Sequence, residues 1–133
     1  MSEGEGTRDA GAILVVEDSD EIRDLLSLVL EAEGYRVVSL EDGREVLETA
    51  KALKPALVTL DLALPGKDGW AIARELQEDP ATTDIPILVI SAYTRDLDAP
   101  LRRRVARVIS KPFYITQVVS EVADILTSDR RLP

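Results

Sequence analysis

Glu17, Asp18, Asp61, Ser91 and Lys111 are the residues of this 133-residue chain whose types and places could do chemistry. Each follows a short apolar run: AILVV precedes Glu17 and Asp18, ALVTL precedes Asp61, PILVI precedes Ser91, and VARVIS precedes Lys111. Singly, none is distinctive. An acidic residue after a strand commonly caps a helix or sits in a solvated loop, and a lone Ser or Lys says less. Their joint arrangement says more. In an open parallel sheet, ligands bind outside the carboxyl ends of the strands, where all five residues stand. Three carboxylates gathered there repel one another and raise at least one pKa unless a cation lies among them. Lys111 supplies one positive charge and a divalent ion would supply the rest, so the cluster reads as a metal site.

The chain contains no cysteine and no histidine. That excludes thiol chemistry, disulfides, zinc sites built on Cys or His, and Ser-His-Asp catalysis. The metal must be a hard cation held by oxygen, such as Mg²⁺, Mn²⁺ or Ca²⁺. A carboxylate can attack a phosphoryl group to give an acyl phosphate. Such transfer needs charge neutralised on the equatorial oxygens, work suited to Mg²⁺, the Lys111 ammonium and the Ser91 hydroxyl. Asp61 is the central carboxylate if the sheet runs 2-1-3-4-5, because the third strand then lies between the first and fourth. It is the expected nucleophile.

For these residues to meet, the apolar runs must lie side by side. Ala12 to Val16 is continuous and branched, as suits a strand buried on both faces. Ile22, Leu25, Leu26 and Val29 fall at helical spacing, and Gly34 stands where a C-cap is expected. Tyr35 to Leu40 reads as the second strand. Asp42 and Glu45 form a D-x-x-E variant of the capping box, before a helix that buries Val46, Leu47, Ala50 and Leu53 and closes at Pro55. Ala56 to Leu60, Pro86 to Ile90 and Val105 to Ser110 supply the third, fourth and fifth strands. Gly69 to Glu78 reads as a helix ended by Asp79-Pro80. The last helix, from about Ile115 to Thr127, places Ile115, Val118, Val119, Val122 and Leu126 on one face. Between Tyr93 and Arg104 a short helix beginning near Ala99 is expected, since Pro100 is tolerated only in a first turn. Strands alternating with helices make an α/β chain with a parallel sheet covered on both sides.

The length suits one domain. Residues 12–127 are expected to fold, with polar tails at 1–11 and 128–133. No apolar run approaches the ~20 residues of a membrane span, and MSEGEGTRDAG is no signal peptide, so a cytoplasmic location is the default expectation. A net charge of −9 argues against nucleic acid as a partner.

These residues are the ones by which the sequence resembles the receiver domains of two-component response regulators, the CheY-like superfamily. The signatures are VVEDS at Val15 to Ser19, LDLALPGKDGW at Leu60 to Trp70, ISA at Ile90 to Ala92 and SKPF at Ser110 to Phe113. Each alone is weak; the four in order are specific. The resemblance implies a flavodoxin-like doubly wound (βα)5 three-layer sandwich with strand order 2-1-3-4-5. It implies that Asp61 takes a phosphoryl group from a phosphohistidine on a sensor histidine kinase or histidine phosphotransfer protein. Asp18 and Asp61 would ligate Mg²⁺ (or Mn²⁺) directly with the backbone carbonyl of Ala63, and Glu17 would act through water. Lys111 would bond the acceptor carboxylate and then the phosphoryl oxygen, Ser91 would donate its hydroxyl to another oxygen, and a cis Lys111–Pro112 bond would aim the lysine. Pro65 and Gly66 would shape the loop after Asp61. Such a chain is a phosphoacceptor rather than an enzyme, and it signals by protein–protein contact.

The chain departs from the receiver pattern in three places. Val108 stands where an aromatic ring or histidine usually precedes the lysine, so the usual rotamer switch cannot report phosphorylation. Ala63 and Tyr93 hold the two positions that commonly tune hydrolysis; Ala63 cannot orient water, so loss of phosphate should be slow. Arg102, Arg103, Arg104 and Arg107 crowd the region of the expected fourth helix. They read either as a solvated basic face or as a surface for an acidic partner or a second copy of the chain. Two other functions fit the residues less well. A receiver-like scaffold that is never phosphorylated typically lacks the acidic pair, the acceptor or the lysine, and all are here. A haloacid-dehalogenase phosphatase needs a second Asp two residues after the nucleophile, where Ala63 stands. No output domain follows Thr127, which fits a stand-alone receiver or a piece of a longer protein.

Overall fold

In the computed structural model, described for residues 11–92, 102 and 104–131, the apolar runs become a five-stranded sheet in the order β2-β1-β3-β4-β5. The strands are β1 (Ile13–Val16), β2 (Val37–Leu40), β3 (Leu57–Leu60), β4 (Ile87–Ser91) and β5 (Arg107–Ser110). All pairings are parallel, with Val16 opposite both Leu40 and Leu60, and Ser91 opposite Ser110. The helices whose ends fall among the described residues are α1 (Asp20–Ala32), α2 (Val46–Leu53), α3 (Gly69–Glu78) and α4 (Ile115–Arg131).

Strands β1, β3 and β4 are buried at every position, as helices on both faces require. Their side chains alternate between two cores. Ile13, Val15, Leu57, Leu88 and Ile90 face Leu26 and Leu30 of α1 and Val118, Val122 and Ile125 of α4. Leu14, Val16, Val58, Leu60 and Val89 face Val46 and Ala50 of α2 and Ile72, Ala73 and Leu76 of α3. The fold is therefore the flavodoxin-like three-layer sandwich that the receiver resemblance implies.

The helix ends show why the chain turns where it does. α1 closes in a Schellman motif at Gly34 (φ 98°): Tyr35 N donates to the Leu30 carbonyl and Gly34 N to that of Glu31. Asp68 caps α3 by accepting from Trp70 N at 3.2 Å. The expected capping box before α2 does not form. Glu45 makes no side-chain cap, because Asp42 bonds the nearer Arg44, through both its backbone N (3.0 Å) and its guanidinium (2.8 Å). The helix accordingly begins only at Val46.

Two further expectations change along α4. The helix runs to Arg131, past the boundary drawn at Thr127. Its buried face is Val118, Val122 and Ile125, while Ile115 is 43% exposed. The expected helix near Ala99, with Pro100, lies outside the described residues.

Candidate functional site

The sheet places its polar residues by continuing its hydrogen-bond ladder past the strand ends. Glu17 N donates to the Leu40 carbonyl (3.0 Å), Asp61 N to that of Val16 (3.1 Å), and Lys111 N to that of Ser91 (3.0 Å). These bonds fix three site backbones against their neighbours before any side-chain contact is made. Glu17, Asp61 and Ser91 are buried there, and Asp18 is exposed.

Lys111 crosses from β5 to the middle of the sheet. The Lys111–Pro112 peptide is cis, as the receiver resemblance implies. Its Nζ lies 2.9 Å from Asp61 Oδ2 and 3.0 Å from Glu17 Oε1. Burial works against the ammonium, but hydrogen bonds to Asp61 and Glu17 outweigh it and hold the lysine pKa above its ordinary value. Glu17 moves up as well. Burial is the main cause and the Asp61 charge adds to it, against the bonds from Lys111 and Ser19 N. The other Asp61 oxygen, Oδ1, accepts from Ala63 N at 3.1 Å.

Carboxylate oxygens of Glu17, Asp18 and Asp61 lie within 4.8 Å of one another. One ammonium against three carboxylates leaves a negative excess, and the donors are all oxygen. The set fits a hard divalent cation, as the receiver resemblance implies. The loop that carries Asp61 onward returns at Gly69, whose N bonds the Leu62 carbonyl at 3.2 Å. A Cβ on Gly69 would meet Leu62 Cα at 2.4 Å, so only glycine lets α3 start this close.

All five residues read from the sequence thus stand at one edge, with Ala63 exposed beside them. Val108 pairs with Val89 on β5 and packs, partly buried, against the core beneath α2 and α3. Tyr93 and Arg103 lie outside the described residues. Arg102 and Arg104 are exposed. Arg107 is not part of a free basic face, because its guanidinium bonds Glu121 Oε1 (2.8 Å) and the Asp124 carboxylate of α4.

Beyond the residues read from the sequence, the structure adds a direct bond between the Glu17 carboxylate and Lys111. Sequence reasoning passed over Arg23, whose Nη1 donates to the Glu17 carbonyl at 3.0 Å. The available signal for Arg23 was slight: one basic residue a turn inside a helix that opens on Asp20 and Glu21.

Comparison with known proteins agrees with this geometry. The sequence model of the response regulator receiver domain matches residues 13–123. The chain is 33% identical over 123 residues to the DNA-binding dual master transcriptional regulator RpaA of Synechocystis sp., covering 91% of this chain and 51% of RpaA. It is 35% identical over 112 residues to the DNA-binding response regulator MtrA of Mycolicibacterium paratuberculosis, covering 83% of this chain and 48% of MtrA. It therefore spans about half the length of these relatives. Among solved structures, a sensor protein from Polaromonas sp. superposes with a TM-score of 0.82 at 28% identity, covering 90% of this chain and 98% of that one. TrrA from Thermotoga maritima, in complex with Mg(2+)-BeF, gives 0.78 at 29% identity, covering 86% and 98%. With the family's model matched across nearly the whole sheet and its acidic cluster and lysine in place, this chain belongs to the response regulator receiver domains of two-component signalling.

Proposed function

We propose that Asp61 accepts a phosphoryl group from a phosphohistidine on a sensor histidine kinase or histidine phosphotransfer protein. The observation that carries this reading is the Lys111 ammonium bonded to buried Asp61 inside an otherwise acidic cluster. Asp18, Asp61 and the Ala63 carbonyl would hold Mg²⁺ (Mn²⁺ would also suit the oxygens), with Glu17 supporting the site through Lys111 or through water. When bound, Mg²⁺ supplies neutralisation of charge on the transferring oxygens. An Asp61 oxygen attacks phosphorus, the P–N bond breaks, and the bonding pair leaves with the imidazole of the donor. Lys111 and the Ser91 hydroxyl stabilise the equatorial oxygens. These 133 residues contain no histidine, so the donor histidine lies outside them.

In this role the chain is a stoichiometric acceptor rather than a turnover enzyme, and it passes its state on by protein contact. A cytoplasmic setting goes with such partners. The named relatives are DNA-binding proteins; the net charge of −9 here favours a protein target over direct DNA contact. The Mg(2+)-BeF complex of TrrA supports the choice of ion. The test is incubation with acetyl phosphate and Mg²⁺ followed by intact mass. Wild type should gain one phosphoryl group and Asp61→Asn none. A wild type that stays unmodified by this donor and by phosphorylated histidine kinases would leave only the unphosphorylated scaffold.

A further inference from the structure

Arg23 stands beside the acidic cluster on the opening turns of α1. Its side chain is only 16% exposed although it carries a full charge. Nη1 donates to the Glu17 carbonyl at 3.0 Å, and Nη2 donates to the Asp20 carboxylate. The same Nη2 lies 3.9 Å from Glu41 Oε1, one residue past the end of β2. One rigid fork thus ties together the end of β1, the start of α1 and the exit of β2. The peptide group it grips is the one that joins Glu17 to Asp18. Ser19 tightens the same turn, with its N bonded to Glu17 Oε2 at 3.1 Å and its Oγ accepting from Ile22 N at 3.3 Å.

Something must hold that turn in place. The Asp18 carboxylate is exposed and, among the described residues, has no ion-pair partner, yet it sits within 4.8 Å of oxygens of Glu17 and Asp61. Repulsion between like charges pushes Asp18 outward. Among the described residues no side chain forms an ion pair with Asp18, so the restraint they supply acts through the backbone.

We propose that Arg23 is a positioning residue for the divalent ion: by clamping the Glu17 carbonyl to Asp20, it keeps the Asp18 carboxylate within coordinating range of Asp61 and Glu17. This rests on the metal-site reading above. Arg23 touches neither ion nor phosphoryl group; it acts on the loop that carries a ligand. Loss of such outer-shell support costs roughly 10-fold or more in metal affinity.

The test uses the full chain with Arg23→Met and Arg23→Lys. Mg²⁺ is titrated calorimetrically, and thermal melts are run in EDTA. Both variants should bind Mg²⁺ roughly 10-fold more weakly than wild type. Lysine keeps the charge and the stem, but its ammonium cannot span both acceptors as a planar fork does. Raising Mg²⁺ should restore phosphorylation by acetyl phosphate in both. A purely structural role would lower the melting temperature in EDTA and leave the Mg²⁺ affinity of the folded protein unchanged. Wild-type affinity in either folded variant overturns the proposal, and if Arg23→Met does not fold, Arg23→Lys decides alone. A wild type that binds no Mg²⁺ would sink the metal-site reading itself, whereas normal wild-type binding with unaffected variants sinks only the clamp.

Discussion

Lys111 Nζ lies as close to Glu17 as to Asp61, 3.0 Å from one carboxylate and 2.9 Å from the other. The ammonium thus bridges the two carboxylates. A divalent ion held by the same oxygens would have to compete with it for them.

From this competition, Lys111→Met should separate binding from transfer. Without the ammonium, the carboxylates are left uncompensated, so Mg²⁺ should bind at least as tightly as in wild type. Phosphorylation should slow by roughly 10²-fold, the typical effect of removing one preorganised donor. Calorimetric Mg²⁺ titration beside phosphorylation time courses would show both. Weakened Mg²⁺ binding would contradict the bridging account.

Glu17 predicts a pH dependence whose sign can be worked out. Its folded-state pKa is raised, chiefly by burial, so the native state holds this proton more tightly than the unfolded chain. Glu17 therefore favours the fold below its unfolded pKa, and stability falls as pH rises from there through the raised value. In EDTA, Glu17→Gln should flatten this part of the melting-temperature profile relative to wild type. Parallel profiles for the two proteins would remove Glu17 as the cause.

At Gly69, two effects of opposite sign can be weighed. Alanine favours a helix over glycine by up to about 1 kcal/mol. Its Cβ would stand 2.4 Å from Leu62 Cα and 2.6 Å from the Leu62 carbonyl oxygen, both backbone atoms that cannot step aside cheaply. Overpacking of this kind costs about 1–3 kcal/mol, so Gly69→Ala should be net destabilising in urea denaturation. It should also impair phosphorylation, because Leu62 follows Asp61 directly.

The phase of α4 can be tested with a pair of substitutions. Ile125→Ala removes a side chain buried with Val118 and Val122 and should cost about 2–4 kcal/mol. Ile115→Ala, at a position 43% exposed, should change stability by less than about 1 kcal/mol. The reverse order would return the helix to the face first read from its spacing.

Ala63 is exposed next to Asp61 and carries no group able to hold a water. Phosphorylated wild type should therefore lose its phosphoryl group slowly, as followed by intact mass over time. Ala63→Gln should accelerate the loss, by up to roughly 10²-fold if its amide orients water as well as a proton-handling group would. No acceleration would place the control of hydrolysis elsewhere.

The parts of this molecule that could be read beforehand are those where one residue type has one physical use. The ILVV run of β1 is apolar throughout because both faces are covered, so its charged site residues begin where the run ends. α3 is legible at Gly69–Glu78, ended by Asp79-Pro80. Elsewhere one pattern had two solutions. Asp42 could cap across to Glu45 or bond Arg44, and the nearer donor won. The spacings 115/118/122 and 118/122/125 both obey helical periodicity, and only the sheet decides between them. Arg23 was illegible because its partner is a main-chain carbonyl, which leaves no mark in the sequence. Arg107 looked like part of a basic cluster until α4 brought Glu121 and Asp124 to it.

The contact between Lys111 and Glu17 joins residues 94 apart in the chain. Asp61 and Lys111 stand at the ends of β3 and β5, and only β4 between them brings the two together. A chain cut short before β5 would display its carboxylate without the ammonium that completes it. The Lys111 contact is thus a certificate that β3, β4 and β5 stand side by side.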